Sequence, residues 1–422
     1  MRWVTLLLVV ACVPTRAHSG WTDGPPIPDP RWHHAAAASS DGYVMAFGGR
    51  VLVGATKAYN HGIGRYALAF FDPATHKWEK ASPMPAYQVR VRVFPYSKVD
   101  VEKYRANGAA IDAPVELNAS HADYELPFGG ADANGRAHYF MGRGSVYFEP
   151  RTRAWGQRES GLYTVYSPDR RSNWYDGTQP SWTTRSQGAT ATGPDGKMYL
   201  VGGMGFPLPD TPGERRSTPG QRSLLDGLDI YDPETNTWKR GAPMKIARQS
   251  LAAAFGKDGK LYVFGGCGCR GSGTMYKVGD EAERQAARAE VQAQQRAVGE
   301  TEVYDPGTDT WSMAAPMPTP RMLFAAATGA DGKIYTIGGQ TSWGGLAVAV
   351  VQVYDPATNR WQHGPSLRRG RVGHAAAVTG DGTIWVLGGY ARAPAIFELS
   401  RLMAGEEEGP TASVELLKTK PE

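Results

Sequence analysis

The chain has 422 residues and a net charge of +5, with 46 lysines and arginines against 41 aspartates and glutamates. This weak charge, without any block of Lys and Arg, excludes the usual pattern of a nucleic-acid-binding protein. With 52 glycines, 30 prolines and 10% aromatic residues, the composition is typical of an all-β protein with short strands and many turns.

The N-terminus has the three parts of an export signal: a basic start, an apolar run over residues 3–13 and small residues near Ala17. The run is too short for a membrane-spanning helix, which needs about 20 apolar residues. Residues 1–19 are therefore predicted to direct export to the periplasm, cell surface or medium. Cleavage after Ala17 is one alternative. The other is a lipobox, Val-Val-Ala-Cys, which would leave a lipid anchor on Cys12.

After this segment, one pattern recurs six times. Each unit contains an Asp-Gly or Asn-Gly pair, the preferred two-residue turn of a β-hairpin. The turns begin at Asp41, Asn134, Asp195, Asp258, Asp331 and Asp381. Seven residues after the aspartate, five units have a glycine pair: Gly48-Gly49, Gly202-Gly203, Gly265-Gly266, Gly338-Gly339 and Gly388-Gly389. The second unit keeps only Gly142. Such self-similarity predicts a repeat architecture.

Two further residue types keep a fixed spacing. A tryptophan follows the acidic residue of a Tyr-Asp-Pro-like segment by six residues, at Trp78, Trp155, Trp238, Trp311 and Trp361. An arginine precedes the turn by ten residues, at Arg31, Arg185, Arg248, Arg321 and Arg371, and the second unit has Tyr124 there. Each unit is predicted to form four strands. The innermost consists of small residues, and the outermost carries the tryptophan.

Together, the glycine pair, Tyr-Asp-Pro, tryptophan and arginine resemble the Kelch repeat. The resemblance extends from Trp21 to Leu417 and implies a six-bladed β-propeller with four strands per blade. Residues 20–422 are thus expected to form one domain and a monomeric protein.

The sixth unit lacks its tryptophan strand, and the N-terminal segment contains a tryptophan strand that precedes the first unit. Trp21-Thr22-Asp23-Gly24 resembles Trp361-Gln362-His363-Gly364, and residues 413–417 resemble a third strand. We predict that the N-terminal strand completes the last blade and closes the ring, so that no sheet edge stays open.

Because consecutive strands run antiparallel, connections alternate between the two faces of the disc. All long insertions fall on one face, where they span about 50–66, 86–123, 156–184, 204–228, 267–300, 340–349 and 390–412. Asp280 and Gly299 suit the start and the stop of a helix at about 280–298 in blade 4. Loops on a rigid scaffold often carry the binding residues.

The recurring arginines are the first candidate site, because guanidinium groups around the channel mouth could bind carboxylates or sulfates. Alternatively, they bond carbonyl groups of the scaffold. His34 and His374 occupy equivalent positions, and His33 is adjacent. Ring closure would bring these histidines together, either as ligands or as packing residues. Cys267 and Cys269 could form a redox pair or half of a metal site, but no second Cys or His pair completes a zinc pattern. We expect two loop cysteines without a role, and no metal or cofactor.

Three functions stay open. The first is an exported module that binds a protein, or an anionic or carbohydrate ligand, through the loop-rich face. A resemblance to bacterial N-acetylneuraminate mutarotases implies an acid-sugar enzyme, for which Asp210, Asp226 and Asp229 are candidate carboxylates. A resemblance to galactose oxidase implies a copper-radical enzyme using Cys267 and the histidines. That family's Tyr-His and Cys-Pro-Gly elements are absent from this sequence.

Overall fold

The computed structural model describes residues 20–51, 68–82, 84, 88–94, 115–120, 129–141, 144–158, 163–166, 185–205, 223–268, 297–342, 345–390 and 410–421. Within these ranges the chain forms six four-stranded antiparallel sheets, which are the blades of a β-propeller. The fold predicted from the repeats is confirmed.

Each blade is a meander of four short strands that follow one another from the channel outwards. Blade 1 comprises Ala35–Ala38, Val44–Phe47, Leu68–Asp72 and Lys77–Lys80. Blade 2 comprises Gly129–Ala131, Ala137–Met141, Gly144–Glu149 and Ala154–Arg158. Blade 3 comprises Ala189–Thr192, Met198–Val201, Leu228–Asp232 and Thr237–Gly241. Blade 4 comprises Ala252–Phe255, Leu261–Phe264, Thr301–Asp305 and Thr310–Ala314. Blade 5 comprises Ala325–Thr328, Ile334–Ile337, Val351–Asp355 and Arg360–His363. Blade 6 comprises Ala375–Val378, Thr383–Leu387, Val414–Lys418 and Trp21–Gly24.

The first strands surround the central channel. Each contacts the first strands of the two neighbouring blades, and blade 6 contacts blade 1, so the cycle is closed. Alanine, glycine and threonine dominate these strands because six of them converge. Larger apolar residues on the second and third strands fill the space between blades. Phe70 of blade 1 and Phe148 of blade 2, for example, pack with ring centroids 5.3 Å apart. Both faces of a blade are covered, which explains the uninterrupted apolar runs.

Closure of the ring uses the N-terminal strand. Trp21 pairs with Leu417 and Gly24 pairs with Val414, in antiparallel register. Trp21 is 2% exposed and packs in the core between blades 5 and 6. The prediction that this strand completes the last blade is therefore confirmed.

The glycine pair lets the backbones of adjacent blades approach closely. Gly338 has φ of +64°, and a Cβ atom there would lie 2.8 Å from the carbonyl oxygen of Arg371 in the next blade. Gly339 has φ of +93° and donates its N–H to that same oxygen at 2.8 Å. Any side chain at this pair would separate two blades, which explains the repetition of the pair.

The tryptophans of the outer strands clamp each blade to the one before it. In each observed case the indole N–H donates to the carbonyl oxygen four residues after the preceding blade's tryptophan, at 2.7–2.9 Å. The pairs are Trp21 with Pro365, Trp78 with Pro25, Trp155 with Ser82, Trp311 with Ala242 and Trp361 with Ala315. The N-terminal strand thus clamps blade 5 as any internal strand would.

Replacing Trp21 by alanine is expected to lower the free energy of unfolding by about 3–5 kcal/mol, because a buried aromatic side chain is lost. Trp21→Phe should cost less, about 1 kcal/mol for the lost indole hydrogen bond plus some packing. Urea unfolding measures both. Thr22→Ala, on the same strand and exposed, is the control and should be near neutral. Equal stability of Trp21→Ala and Thr22→Ala would contradict the role of this strand in closing the ring.

Smaller sheets, which were not predicted, occur in the insertions. Gln88–Phe94 pairs antiparallel with Val115–Ser120 and parallel with Tyr163–Tyr166, so two successive blade-to-blade connections share one sheet. Arg31–Trp32 pairs with Arg50–Val51, and Met204–Gly205 pairs with Ser223–Leu224. The predicted helix at about 280–298, and Tyr124, lie outside the described residues.

Candidate functional site

The recurring arginines lie inside the blades. Their exposed fractions are 0–4%. In each, Nη1 donates to a carbonyl group at the end of the second strand, at 2.6–3.2 Å. The acceptors are Ala46 for Arg31, Leu200 for Arg185, Gly265 for Arg248, Gly338 for Arg321 and Gly388 for Arg371. Each guanidinium therefore closes the open end of its own blade on the loop-rich face.

In four blades the same guanidinium also meets a polar side chain of the third strand. The pairs are Arg185 with Asp229, Arg248 with Glu302, Arg321 with Gln352 and Arg371 with Glu415. These partners were not predicted as a set. Their signal is a single polar residue in an otherwise apolar strand, three positions before the aspartate of Tyr-Asp-Pro in blades 3 to 5.

Burial lowers the pKa of Arg248, and the charge of Glu302 offsets part of that shift. Burial likewise lowers the pKa of Arg321, whose third-strand partner is the neutral Gln352. The arginines thus bond carbonyl groups of the scaffold, which is the alternative to ligand binding that the sequence left open. A soluble anion would have to displace the hydrogen bonds that hold the blade together.

His34 and His374 pack against the glycine pairs of the preceding blades. A Cβ atom on Gly338 would lie 2.7 Å from Cε1 of His374, and one on Gly388 would lie 2.9 Å from Cε1 of His34. Leu251 and Phe324 occupy the equivalent positions against Gly202 and Gly265. The two histidines therefore stand where other blades use apolar side chains.

His34 and His374 are buried, with exposed fractions of 8% and 6%. Within the described part of the chain, the ring nitrogens of His34 have no hydrogen-bond partner, whereas backbone groups of Ile337 and Arg371 lie near the ring of His374. Burial, reinforced by the nearby charge of Arg371, lowers the pKa of His374 to about 3. Burial, followed by the charges of Arg31 and His374, lowers the pKa of His34 well below its usual value. The two rings thus act as packing groups at successive seams, His374 between blades 5 and 6 and His34 between blades 6 and 1.

His33 belongs to a hoop of backbone hydrogen bonds at the channel mouth. The residue two positions after each arginine adopts left-handed φ values of 51–59° and bonds to its equivalent in the preceding blade. The N–H of His33 donates to Gly373, that of Gly373 to Leu323, that of Leu323 to Ser250 and that of Ser250 to Gln187, at 2.7–3.0 Å. The hoop narrows the mouth, and no sequence pattern indicated it.

Cys267, expected to be a loop cysteine without a role, is disulfide-bonded, and its side chain is buried. Its backbone pairs with both Gln249 and Ala297, at the base of the longest insertion of blade 4. This backbone pairing holds the start and the end of the insertion against the scaffold. Cys269 lies outside the described residues.

The candidate carboxylates have different surroundings. Asp229 is 2% exposed and bonded to Arg185, so it belongs to the scaffold. Asp226 is only partly buried, and burial raises its pKa. Asp210 lies outside the described residues.

Neither a metal site nor a membrane-spanning helix occurs in the described ranges. They contain no group of three or more His, Cys, Asp and Glu side chains that could hold a metal ion. Nor does any helix in those ranges have the length and apolar character to cross a membrane.

The fold and the arginine–carbonyl geometry define a repeat-built β-propeller. A family model described as the Kelch motif matches residues 185–245 and 321–368, and each match begins at a recurring arginine. Two segments of this six-bladed β-propeller therefore match the Kelch motif.

Curated relatives share part of the propeller. The chain is 31% identical over 147 residues to Kelch repeat and BTB domain-containing protein 12 of Danio rerio, covering 34% of this chain and 20% of that protein. It is 31% identical over 166 residues to Kelch-like protein 35 of Mus musculus, covering 35% and 27%. N-acetylneuraminate epimerase of Haemophilus influenzae is 29% identical over 150 residues, covering 35% and 34%. The chain thus spans about a fifth to a quarter of the first two relatives.

Proposed function

We propose that this protein is an exported binding module that engages a protein, or an anionic or carbohydrate ligand, through its loop-rich face. The observation that carries the proposal is the sorting of connections. Turns on one face are tight, such as residues 39–43, which connect the first and second strands of blade 1. Connections on the other face reach the length of residues 265–300 in blade 4. A rigid disc with all elaboration on one side is suited to recognition.

The buried arginines shift this proposal away from the channel mouth. Because they are occupied by the scaffold, the ligand contacts are assigned to the insertions. Their sequence combines aromatic residues with Arg, as in Tyr163, Tyr166, Arg90 and Arg92, a composition enriched in interfaces.

Site-specific photo-crosslinking tests the choice of face. Leu346 is 69% exposed in a loop-face connection of blade 5, and Ala357 is exposed in a turn of the opposite face of the same blade. With a photoreactive residue at Leu346 in host cells, we expect one dominant adduct, identified by mass spectrometry. Ala357 is the matched control and should give no such adduct. The same adduct from both positions, or from Ala357 only, would refute a loop-face binding site.

Export is part of this proposal. The disulfide at Cys267 supports it, because such bonds persist mainly in oxidising compartments. Mass spectrometry of protein from the native host should find a chain that begins after Ala17 or a lipidated Cys12. An intact N-terminus in the cytosolic fraction would contradict export.

A second candidate is acid-sugar mutarotation. The similarity to N-acetylneuraminate epimerase and the raised pKa of Asp226 favour it. NMR exchange spectroscopy of N-acetylneuraminate should then show faster anomerisation with the protein, and Asp226→Asn should remove the effect. Asp355→Asn, on the opposite face, is the control. An unchanged rate with the wild-type protein would exclude this activity.

A further inference from the structure

Blade 2 contains a buried polar chain that distinguishes it from blades 3, 4 and 5. In those three blades the residue four positions after the turn aspartate is a tyrosine, whose hydroxyl donates to that aspartate at 2.7–2.9 Å. Blade 2 has His138 at this place and Asn134 at the turn. Its carboxylate comes instead from Asp132, whose Oδ2 lies 3.0 Å from Nε2 of His138.

From His138 the chain continues into blade 3. Nδ1 of His138 lies 3.0 Å from Oγ of Ser145, which lies 3.1 Å from the hydroxyl oxygen of Tyr231. Tyr231 donates its proton to Oδ1 of Asn236 at 2.9 Å. His138, Ser145 and Tyr231 are 0% exposed. A carboxylate, an imidazole and three uncharged groups therefore form one continuous hydrogen-bonded chain from blade 2 to blade 3.

The neighbouring blades fix the direction of the last hydrogen bond. Asn359 in blade 5 is equivalent to Asn236, and its Oδ1 accepts both the backbone N–H of Ala315 and the hydroxyl of Tyr354, each at 2.8 Å. A backbone N–H can only donate, so the side-chain atom is an oxygen. Blade 4 has Asp309 at this position, which can only accept while ionised and bonds to Tyr304 in the same way. The tyrosine therefore donates to this position in all three blades.

The count of protons then determines the state of His138. Tyr231 gives its proton to Asn236, so the Ser145 proton must lie either towards Tyr231 or towards His138. If a neutral His138 accepted at Nδ1, the Ser145 hydroxyl would donate its proton to His138. Oγ of Ser145 and the hydroxyl oxygen of Tyr231, 3.1 Å apart and buried, would then have no proton between them.

A neutral His138 protonated at Nδ1 would satisfy these contacts only if Asp132 were protonated at Oδ2. That oxygen accepts from Arg136 Nε, and Oδ1 accepts the backbone N–H groups of Asn134 and Arg136, so Asp132 is held as a carboxylate. A doubly protonated His138 donates to Asp132 and to Ser145, and Ser145 donates to Tyr231, so every contact has one proton. We propose that blade 2 holds a buried imidazolium–carboxylate pair, His138 with Asp132, that fastens blade 2 to blade 3.

The Asp132 carboxylate favours a cation at His138, whereas the positive charge of Arg136 on the same oxygen opposes one. Burial alone would raise the pKa of Asp132, but the hydrogen bond and charge of His138, together with Arg136, lower it. Arg136 Nε donates to the same carboxylate oxygen at 2.6 Å. The imidazole ring stacks on Tyr147 with the ring centroids 5.3 Å apart, and the guanidinium of Arg136 also lies over Tyr147, 4.9 Å from its centroid. One aromatic ring therefore faces both groups.

A charged pair at this seam makes the fold sensitive to base. A histidine that is charged when folded but neutral when unfolded contributes its full stabilisation below the unfolded pKa of about 6.5. That contribution is lost as pH rises through the value at which folded His138 loses its proton. Deprotonation would also leave the Ser145–Tyr231 contact without a proton, so the seam between blades 2 and 3 would weaken first.

Nitrogen-15 NMR of histidine side chains tests the proposal on the wild-type protein, with His138→Gln used to assign the signal. At about pH 7.5, where a free histidine is mostly neutral, both ring nitrogens of His138 should give shifts of the protonated type. One protonated and one unprotonated nitrogen would overturn the proposal.

Tyr231→Phe provides a second test. Without its acceptor in blade 3, the Ser145 proton can turn to His138, so the ring should become neutral at lower pH than in the wild type. Tyr354→Phe, the equivalent change in blade 5, should leave the His138 signals unchanged. An unshifted titration of His138 in Tyr231→Phe would show that the chain does not set its charge.

Discussion

Replacing Arg248 by methionine is expected to lower the free energy of unfolding by about 3–5 kcal/mol, because it leaves Glu302 buried and unpaired. Both side chains of this pair are 0% exposed, and the arginine also holds the carbonyl groups of Gly265 and Glu300. Blade 4 should therefore lose its closure at the loop-rich end. Thermal or urea unfolding, followed by tryptophan fluorescence, measures the loss.

Glu302→Gln is the matched control, and blade 5 supplies its precedent. There the equivalent arginine, Arg321, bonds to Gln352 at 3.0 Å. The Glu302→Gln protein should keep the pairing with Arg248 and lose clearly less stability than Arg248→Met. If Arg248→Met folds with unchanged stability but binds its ligand less tightly, the recurring arginines are a binding site and not a scaffold element.

The second large effect is expected in acid, from His34 and His374. Exchanging them for the residues that other blades use, in the double variant His34→Leu/His374→Phe, should protect the protein against acid unfolding. Above the unfolded pKa of about 6.5, the two histidines are neutral in both states and contribute no pH dependence. Below pH 6.5, the two histidines become protonated in the unfolded chain but stay neutral in the folded protein, because burial lowers their pKa values there. The wild type thus loses about 1.4 kcal/mol per pH unit for each histidine, or about 4 kcal/mol for the pair at pH 5.

Urea unfolding at pH 7 and at pH 5 measures this difference. The gap in stability between the double variant and the wild type should widen by about 4 kcal/mol on acidification. His363→Leu, an exposed substitution on the outer strand of blade 5, is the control and should not change the pH dependence to that extent. A gap that stays constant between the two pH values would show that His34 and His374 take up protons as readily in the folded protein as in the unfolded chain.

Most of the fold was predictable because its constraints are local and repeated. Each Asp-Gly or Asn-Gly pair does form a hairpin turn, although the turn has four or five residues instead of the predicted two and only its glycine has a positive φ. Glycine pairs allow blades to approach, and Trp21 matched Trp361 in its context. Each of these follows from one residue type at a fixed spacing in the sequence. The six repeats predict the number of blades, and the strand missing from the sixth repeat identifies the closing strand.

The site was less predictable because its chemistry depends on contacts between distant residues. The spacing of Arg248 gave its position near one mouth of the channel, but not the direction of its guanidinium. That direction is set by Glu302, which lies 54 residues away. The disulfide state of Cys267 and the chain through His138 likewise depend on which side chains the fold brings together. A repeat shows where residues stand, whereas their protonation and partners follow from the packing.

Ring closure has a consequence for synthesis. The strand Trp21–Gly24 is made near the start of the chain and Val414–Lys418 near its end, yet they are neighbours in one sheet. The propeller therefore cannot be completed while the chain is still being translated, and its earliest strand stays unpaired until the last blade emerges. During that time the apolar edge of blade 6 and the tryptophan clamp on blade 5 are both exposed to other chains. Closure of the ring is therefore the last step of folding, and until then an incomplete propeller presents an unpaired sheet edge.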